Sequence, residues 1–175
     1  MRLWVLCEAG GMAPMLARVA NPYGVPVLTS GGFDSLTAKN ELARELADEL
    51  ASGLPVEVLH LGDLDPSGVH LFTSLAEDVS AMTSTLAGAV PIFTRLAVTP
   101  EQAENLGLPT APAKTTDRRS FAGETMQCEA IAPDVLSDIL RRAIEGRRDQ
   151  WTADDVLRVE AEMRVELLAK LGGDS

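Results

Sequence analysis

The first 98 residues alternate short apolar runs with stretches of helical periodicity. The apolar runs cover residues 3–8, 25–30, 56–63 and 90–98. Between them, apolar side chains recur every three or four residues, as they do on the buried face of a helix. Strands that alternate with helices in this way form a parallel sheet with right-handed crossovers. We therefore predict an α/β fold in which a parallel sheet of about four strands lies between helices.

The pattern changes after the fourth apolar run. A short helix is predicted over 99–107, with Thr99 as its N-cap and Gln102 completing a capping box. Residues 108–132 are rich in Pro, Thr and small side chains and are predicted to form a long ordered loop. Two further helices are expected at about 133–146 and 152–171. This organisation predicts a domain over 1–110, with a loop and helical extension over 111–175 packed on it.

Composition and charge limit the class of protein. The chain has 175 residues, enough for one domain with a substantial core, and its formal net charge of −11 argues against a broad nucleic-acid-binding surface. No apolar stretch approaches the roughly 20 residues that cross a bilayer, so we expect no membrane partner. Cys7 and Cys128 form no CxxC motif, which makes a disulfide or zinc framework unexpected and indicates a reduced, cytoplasmic setting.

Three acidic residues follow two of the predicted strands. Glu8 closes the first strand, and Asp63 and Asp65 close the third in "HLGDLDPSG". The carboxyl ends of parallel strands meet at one edge, so these carboxylates are expected to converge and to repel one another unless a cation offsets them. Mg²⁺ suits hard oxygen ligands best. The alternative is that Asp65 only caps the following helix while Asp63 bonds to the turn.

Other polar residues are candidate phosphate contacts near this edge. Ser67 lies at a helix N-terminus and His70 follows one turn later, where backbone amides attract anions. The basic residues of the "KTTDRR" segment, Lys114, Arg118 and Arg119, are expected to clamp nucleic acid, unless they are only a solvated charge run. His60, in the interior of the third strand, is more typical of a packing residue than of a ligand.

Several of these motifs resemble those of one known family. "LGDLDPSG" is similar to the acidic DxDPxG motif of Toprim domains of the type found in the A subunit of type VI topoisomerases, and "VLCEAGG" resembles the first Toprim motif, a strand that ends in Glu. The segment "RLAVTPEQAENLGLP" resembles a downstream part of the same branch. The resemblance covers about residues 3–110 and points to a bacterial or phage subgroup of uncharacterised role. It implies a Rossmann-like sheet, with Glu8, Asp63 and Asp65 as Mg²⁺ positions and Glu8 as a general acid or base.

The chain also departs from that family. Its members often carry Lys after the first-motif Glu, where this chain has Ala9, and type VI topoisomerases cut DNA with a tyrosine on a separate winged-helix domain. The one tyrosine, Tyr23, is in an "NPYG" turn and is expected to pack there.

The acidic residues and the resemblance lead to a first functional prediction, and the departures from the family favour an alternative. The first is Mg²⁺-dependent action, with Mn²⁺ as a substitute, on the phosphodiester bonds of nucleic acid, most simply DNA, by hydrolysis or as a topoisomerase-type module. The alternative is a non-catalytic or partner-completed Toprim subunit, which works with a separate DNA-binding or ATPase protein in DNA processing or defence.

Overall fold

The fold is known from a computed structural model that describes residues 1–29, 35–112, 124–147 and 158–165. Four parallel strands form one sheet in the order β2-β1-β3-β4. Their bounds are β1 Arg2–Cys7, β2 Val27–Thr29, β3 Val56–Leu61 and β4 Ile92–Ala97. The predicted α/β fold with a parallel sheet of four strands between helices is confirmed. The order puts β1 beside β3, so the residues that follow these two strands are neighbours.

Among the described residues up to 147, five α-helices accompany the sheet: α1 Ala13–Ala20, α2 Leu36–Ala51, α3 Pro66–Ala87, α4 Pro100–Leu106 and α5 Pro133–Glu145. Local sequence explains where they begin. Ser35 caps α2 by accepting a hydrogen bond from the Ala38 amide, and Thr99 forms the predicted capping box with Gln102 at the start of α4. The end of α3 at Gly88, with φ of 67°, is a left-handed cap that favours glycine.

Side chains that alternate along the strands contribute to two hydrophobic layers, one on each face of the sheet. Val5, Cys7, Leu59 and Leu61 point to one face, and Leu6, Val56 and Val58 point to the other. The first face is covered by α1 and α5, which contribute Leu16, Leu136, Leu140 and Ile144. The second is covered by α2 and α3, through Leu42, Leu46, Leu75 and Val79. All six residues of β3 are buried between these two layers, which explains the apolar side chains at four of its six positions.

The segment predicted as a loop over 108–132 contains more structure than its composition indicates. Ala111–Pro112 (β5) pairs antiparallel with Glu124–Thr125 (β6), and Leu64 forms an isolated antiparallel bridge with Met126. Met126, Cys128 and Ile131 are all buried in the first layer. Local periodicity could not reveal this arrangement, because the backbone partner of Met126 lies some 60 residues away along the chain.

The chain divides into two compact units, Met1–Ile144 and Glu145–Ser175. Residues 126–144, which the sequence placed in an extension on a 1–110 domain, share the hydrophobic core of the first unit. In the second unit, residues 158–165 form a helix whose side chains are exposed. Within the described parts of both units, no helix combines the length and apolar character required to cross a membrane.

Candidate functional site

Glu8 lies at the carboxyl edge of the sheet, immediately after β1. Its amide donates a hydrogen bond to the Leu61 carbonyl over 2.8 Å, which extends the pairing of β1 with β3 by one residue. Its side chain then reaches across β3, where Glu8 Oε2 accepts a hydrogen bond from the Asp63 amide over 3.0 Å. The first acid of the predicted set therefore contacts the backbone of the second directly.

Gly62 leaves the space that the Glu8 carboxylate occupies. A Cβ atom at this position would lie 2.1 Å from Glu8 Oε2 and 2.5 Å from His60 Cε1, well inside van der Waals contact. Gly68, in the first turn of α3, is similarly close: a Cβ there would lie 2.5 Å from the Asp63 carbonyl oxygen and 3.3 Å from Glu8 Oε2. The two glycines of "LGDLDPSG" therefore serve close approach rather than an unusual backbone angle.

Asp63 joins the acidic loop to the segment before α5. Its Oδ1 accepts a hydrogen bond from the Cys128 amide over 2.8 Å. Beside it, Leu64 and Met126 exchange backbone hydrogen bonds of 2.8 and 2.9 Å. The expected alternative, in which Asp63 bonds to its own turn, is not the arrangement found, because the carboxylate reaches a residue 65 positions along the chain. Nothing in the local sequence indicates this contact.

Asp65 caps α3, as the alternative interpretation of the motif expected. The residue has an extended backbone, and its Oδ1 accepts a hydrogen bond from the Gly68 amide over 2.7 Å. Pro66 occupies the first helical position, where the missing N–H has no consequence. Capping uses one oxygen of a carboxylate that has two, so it does not by itself exclude a second role for Asp65.

The three carboxylates interact electrostatically. Burial raises the pKa of Glu8, and the negative charges of Asp63 and Asp65 raise it further, while the hydrogen bond from the Asp63 amide and the positive charge of Arg95 lower it. The net direction is upward, so Glu8 keeps a proton to higher pH than an exposed glutamate. The strand order has thus brought Glu8 within electrostatic range of both aspartates.

The donor chemistry of this edge suits Mg²⁺, but the side chains are not gathered around a common point. Among the described residues, no set of three or more His, Cys, Asp and Glu side chains is arranged to hold a metal ion. The physical reason is visible in the hydrogen bonds: one oxygen each of Glu8, Asp63 and Asp65 accepts from a different backbone amide. Shared coordination would require these side chains to rotate, and the predicted metal site stays a prediction.

Arg95 is the residue at this edge that the sequence reasoning missed. It projects from β4, and its guanidinium contacts the carbonyl oxygens of Val98, Gly62, Gly68 and Asp63. Burial lowers the pKa of Arg95, whereas nearby Glu8, Cys128, Asp63 and Asp65 raise it. The sequence does contain an indication of this role, because Arg95 is a charged residue within the apolar run of β4. Its side chain lies on the face of the sheet that packs against α3.

His60 lies beneath the edge, on the face of the sheet covered by α3. The residue is 2% exposed, and its ring lies 4.8 Å from the ring of Phe72. Its Nδ1 has no hydrogen-bond partner among the described residues. Burial lowers the pKa of His60 to about 3, and the charge of Arg95 acts in the same direction. A neutral, packed imidazole agrees with the packing role that the sequence favoured for His60.

Two of the five candidate phosphate contacts, Ser67 and His70, lie within the described residues. Ser67 is half-buried in the first turn of α3, and His70 is exposed one turn further along the same helix. Lys114, Arg118 and Arg119 lie outside the described residues. Contacts of these five residues with phosphate therefore stay predictions.

Tyr23 packs against the first hydrophobic layer, as its turn context predicted.

Both cysteines lie close to the acidic edge but are enclosed in the core. Cys7 and Cys128 are buried, each as a free thiol. Burial raises the pKa of Cys7 to about 11 and that of Cys128 to about 12, so both are protonated near neutral pH. The thiolate is the nucleophilic form of cysteine, so these buried, protonated thiols are not candidate nucleophiles.

Comparisons with known proteins add no assignment to this geometry. A scan of the chain against protein-family models found no match, and searches of curated proteins and of solved structures found none either.

Proposed function

We propose that this chain is a Toprim-like domain that acts, with Mg²⁺, on phosphodiester bonds of nucleic acid. The observation that carries the proposal is the 3.0 Å hydrogen bond from the Asp63 amide to Glu8 Oε2. It joins the acid after β1 to the "DLD" segment after β3, across the carboxyl edge where parallel sheets bind ligands. The "LGDLDPSG" and "VLCEAGG" resemblance supports the same residues independently of the geometry.

Glu8, Asp63 and Asp65 would hold the ion. When bound, Mg²⁺ would orient a phosphate oxygen and stabilise the negative charge that develops on it. The protein's own contribution is placement of the acids: β1 pairing positions Glu8, the Cys128 amide orients Asp63, and the α3 cap orients Asp65. The resemblance also makes Glu8 the candidate general acid or base.

Amide variants test the proposal while keeping an acceptor for each backbone hydrogen bond of the three acids. Glu8→Gln, Asp63→Asn and Asp65→Asn each retain an oxygen that can accept the observed backbone hydrogen bond, and each removes one negative charge. We expect the wild-type protein to bind Mn²⁺ and to gain thermal stability with it, and each variant to lose affinity by about tenfold or more. Binding is measured by calorimetry, and cleavage is measured on labelled DNA and RNA with Mg²⁺.

Asp48→Asn is the matched control. Asp48 is exposed on α2, so this variant makes the same change in net charge away from the edge. Its Mn²⁺ affinity should equal that of the wild type. If wild-type protein binds no Mn²⁺ and cleaves no nucleic acid, the metal-dependent activity is wrong for the isolated chain.

A second candidate function is a subunit that a partner completes. The observation in its favour is that the described residues hold no ready-made set of three metal ligands, since each acid is engaged by a backbone amide. A DNA-binding or ATPase partner would then reorganise the edge. Under this candidate the chain is inactive alone, and activity appears on co-expression with a partner encoded beside it and disappears with Asp63→Asn.

A further inference from the structure

The side chain of Arg95 joins several backbone segments around the acids. Its Nε donates to the Val98 carbonyl over 3.1 Å, Nη2 donates to the Gly62 carbonyl over 3.1 Å, and Nη1 lies 3.4 Å from the Gly68 carbonyl. Nη2 also donates to the Asp63 carbonyl. The guanidinium therefore links the end of β4 to the loop after β3 and to the first turn of α3.

These carbonyl groups are close to the acids in the chain. Gly62 precedes Asp63, the Asp63 carbonyl belongs to an acid itself, and Gly68 is the residue whose amide Asp65 caps. A rigid link to them fixes the backbone from which the Asp63 and Asp65 side chains project. The same link fixes the Asp63 amide, which is the donor to Glu8 Oε2.

The charge of Arg95 also acts on this edge. The carboxylates of Glu8, Asp63 and Asp65 all interact with the guanidinium. Its carbon lies 5.9 Å from the centroid of the Phe72 ring, which covers it from the α3 side. An arginine offers five N–H donors in a planar fork and keeps its charge when partly buried, whereas lysine offers a compact ammonium that cannot span several carbonyls.

We propose that Arg95 is the positioning residue of the acidic edge: it holds the Gly62–Gly68 backbone in place, so that binding of a divalent cation requires only rotation of the Glu8, Asp63 and Asp65 side chains. The part of this inference that concerns a divalent cation rests on the proposed function. The part in which Arg95 holds the backbone does not. The positive charge of Arg95 also offsets part of the repulsion among the three acids.

Positioning and simple electrostatics predict opposite results for metal affinity. Loss of a positive charge beside the acids, with nothing else changed, would strengthen the binding of a divalent cation. Loss of the link that orients the ligands would weaken it. The sign of the change in Mn²⁺ affinity on substitution of Arg95 therefore discriminates between the two roles.

The first experiment measures backbone amide hydrogen exchange in metal-free protein. We expect Arg95→Gln to accelerate exchange of the Asp63, Gly68 and Cys128 amides about tenfold or more, while the amides of α2 keep their rates. Arg44→Gln is the control, because Arg44 is an exposed arginine on α2 whose Nε contacts the side chain of Asn40. Unchanged rates at the three amides in Arg95→Gln would overturn the positioning role.

The second experiment measures Mn²⁺ affinity by calorimetry for wild type, Arg95→Gln and Arg95→Lys. We expect Arg95→Gln to weaken binding by about 10- to 100-fold, with Arg95→Lys intermediate. Tighter or unchanged binding in Arg95→Gln contradicts the proposal. If Arg95→Gln does not fold, Arg95→Lys decides both measurements by the same criteria.

Chemical rescue separates a positioning guanidinium from general packing. In Arg95→Ala, millimolar guanidinium, far below denaturing concentrations, should restore part of the Mn²⁺ affinity, and urea at equal concentration should not. Equal restoration by urea, or none by either, overturns the role assigned to the charged fork. If wild-type protein binds no Mn²⁺, the proposed function fails, and the amide-exchange result still decides whether Arg95 positions the edge.

Discussion

Gly62 has no side chain, and this leaves the space in which the Glu8 carboxylate lies. The position of its absent Cβ is 2.1 Å from Glu8 Oε2, so any larger residue must displace that carboxylate or the His60 ring. Because Glu8 Oε2 ends a flexible side chain, we expect Gly62→Ala to move the carboxylate away from the Asp63 amide. The predicted result is loss of Mn²⁺ affinity of about tenfold or more, with a smaller change in stability.

Gly10→Ala is the control for this substitution. A Cβ at Gly10 has no atom within 4 Å, although Gly10 lies only two residues from Glu8. Calorimetry with Mn²⁺ and a thermal melt of both variants provide the comparison. Equal Mn²⁺ affinity in Gly62→Ala and wild type would show that the position of Glu8 does not matter for the ion.

His60 makes stability depend on pH. Its pKa is lowered from 6.5 to about 3 in the folded protein, so between these values the unfolded chain binds more protons. Stability from this residue is therefore complete above pH 6.5 and is lost as the pH falls towards 3, with a slope of at most about 1.4 kcal/mol per pH unit.

His60→Leu should remove this dependence. At pH 7.5 we expect its free energy of unfolding to be close to that of the wild type, because leucine leaves no unpaired Nδ1 in the core. At pH 5 it should exceed the wild-type value by about 2 kcal/mol. Urea unfolding at both pH values measures the difference, with exposed His70→Gln as the control, and equal slopes for His60→Leu and wild type would contradict the burial argument.

At the scale of elements, α2 and α3 are joined by a buried lysine. Lys39 is 8% exposed, and its Nζ lies 2.6 Å from Asp78 Oδ2 and 2.9 Å from Ser74 Oγ. The hydrogen bond from Lys39 lowers the pKa of Asp78. The two helices therefore share a polar contact next to the apolar layer formed by Leu42, Leu46, Leu75 and Val79.

The two partners of this contact should respond differently to substitution. Lys39→Met replaces a buried ammonium with an apolar chain of similar length, and we expect a change of about 1 kcal/mol or less. Asp78→Ala leaves the ammonium buried without its counter-ion and should be the more destabilising of the two. Thermal unfolding of both variants decides the order, and a larger loss in Lys39→Met would be contrary to this argument.

At the scale of the whole molecule, residues 126–144 contribute to the core. Met126, Cys128, Ile131, Leu136, Leu140 and Ile144 are all buried. Burial of one such side chain contributes about 1.5–3 kcal/mol, so the six together are comparable with the entire net stability of a domain. The Cys128 amide also supplies the partner of Asp63.

Two truncated chains test this organisation. A chain that ends at residue 147 retains the compact unit Met1–Ile144 and should melt cooperatively within about 4 °C of the full-length protein. A chain that ends at residue 110, the boundary that the sequence predicted, should not fold cooperatively. Circular dichroism melts measure both, and a cooperative transition in the shorter chain would show that residues 126–144 are dispensable.

The strands, the helices and their caps could be predicted because their causes are local. Apolar spacing locates β1, β3 and α3, and the side chains of Asp65 and Thr99 bond to amides three residues away. Even the edge shared by Glu8 and Asp63 followed from the sequence, since alternating strands and helices imply parallel strands whose carboxyl ends lie together. These features determine the fold class and the candidate acids.

Tertiary structure alone decided how the acids are held. The Asp63 contact with Cys128 and the Arg95 contacts with Gly62 and Gly68 each join residues at least 27 positions apart. Such contacts depend on how separate elements pack against one another, and no local periodicity encodes that geometry. The sequence by itself therefore determined which carboxylates meet at one edge of the sheet. Their orientation towards backbone amides, and the guanidinium placed among them, were decided only when the chain had folded.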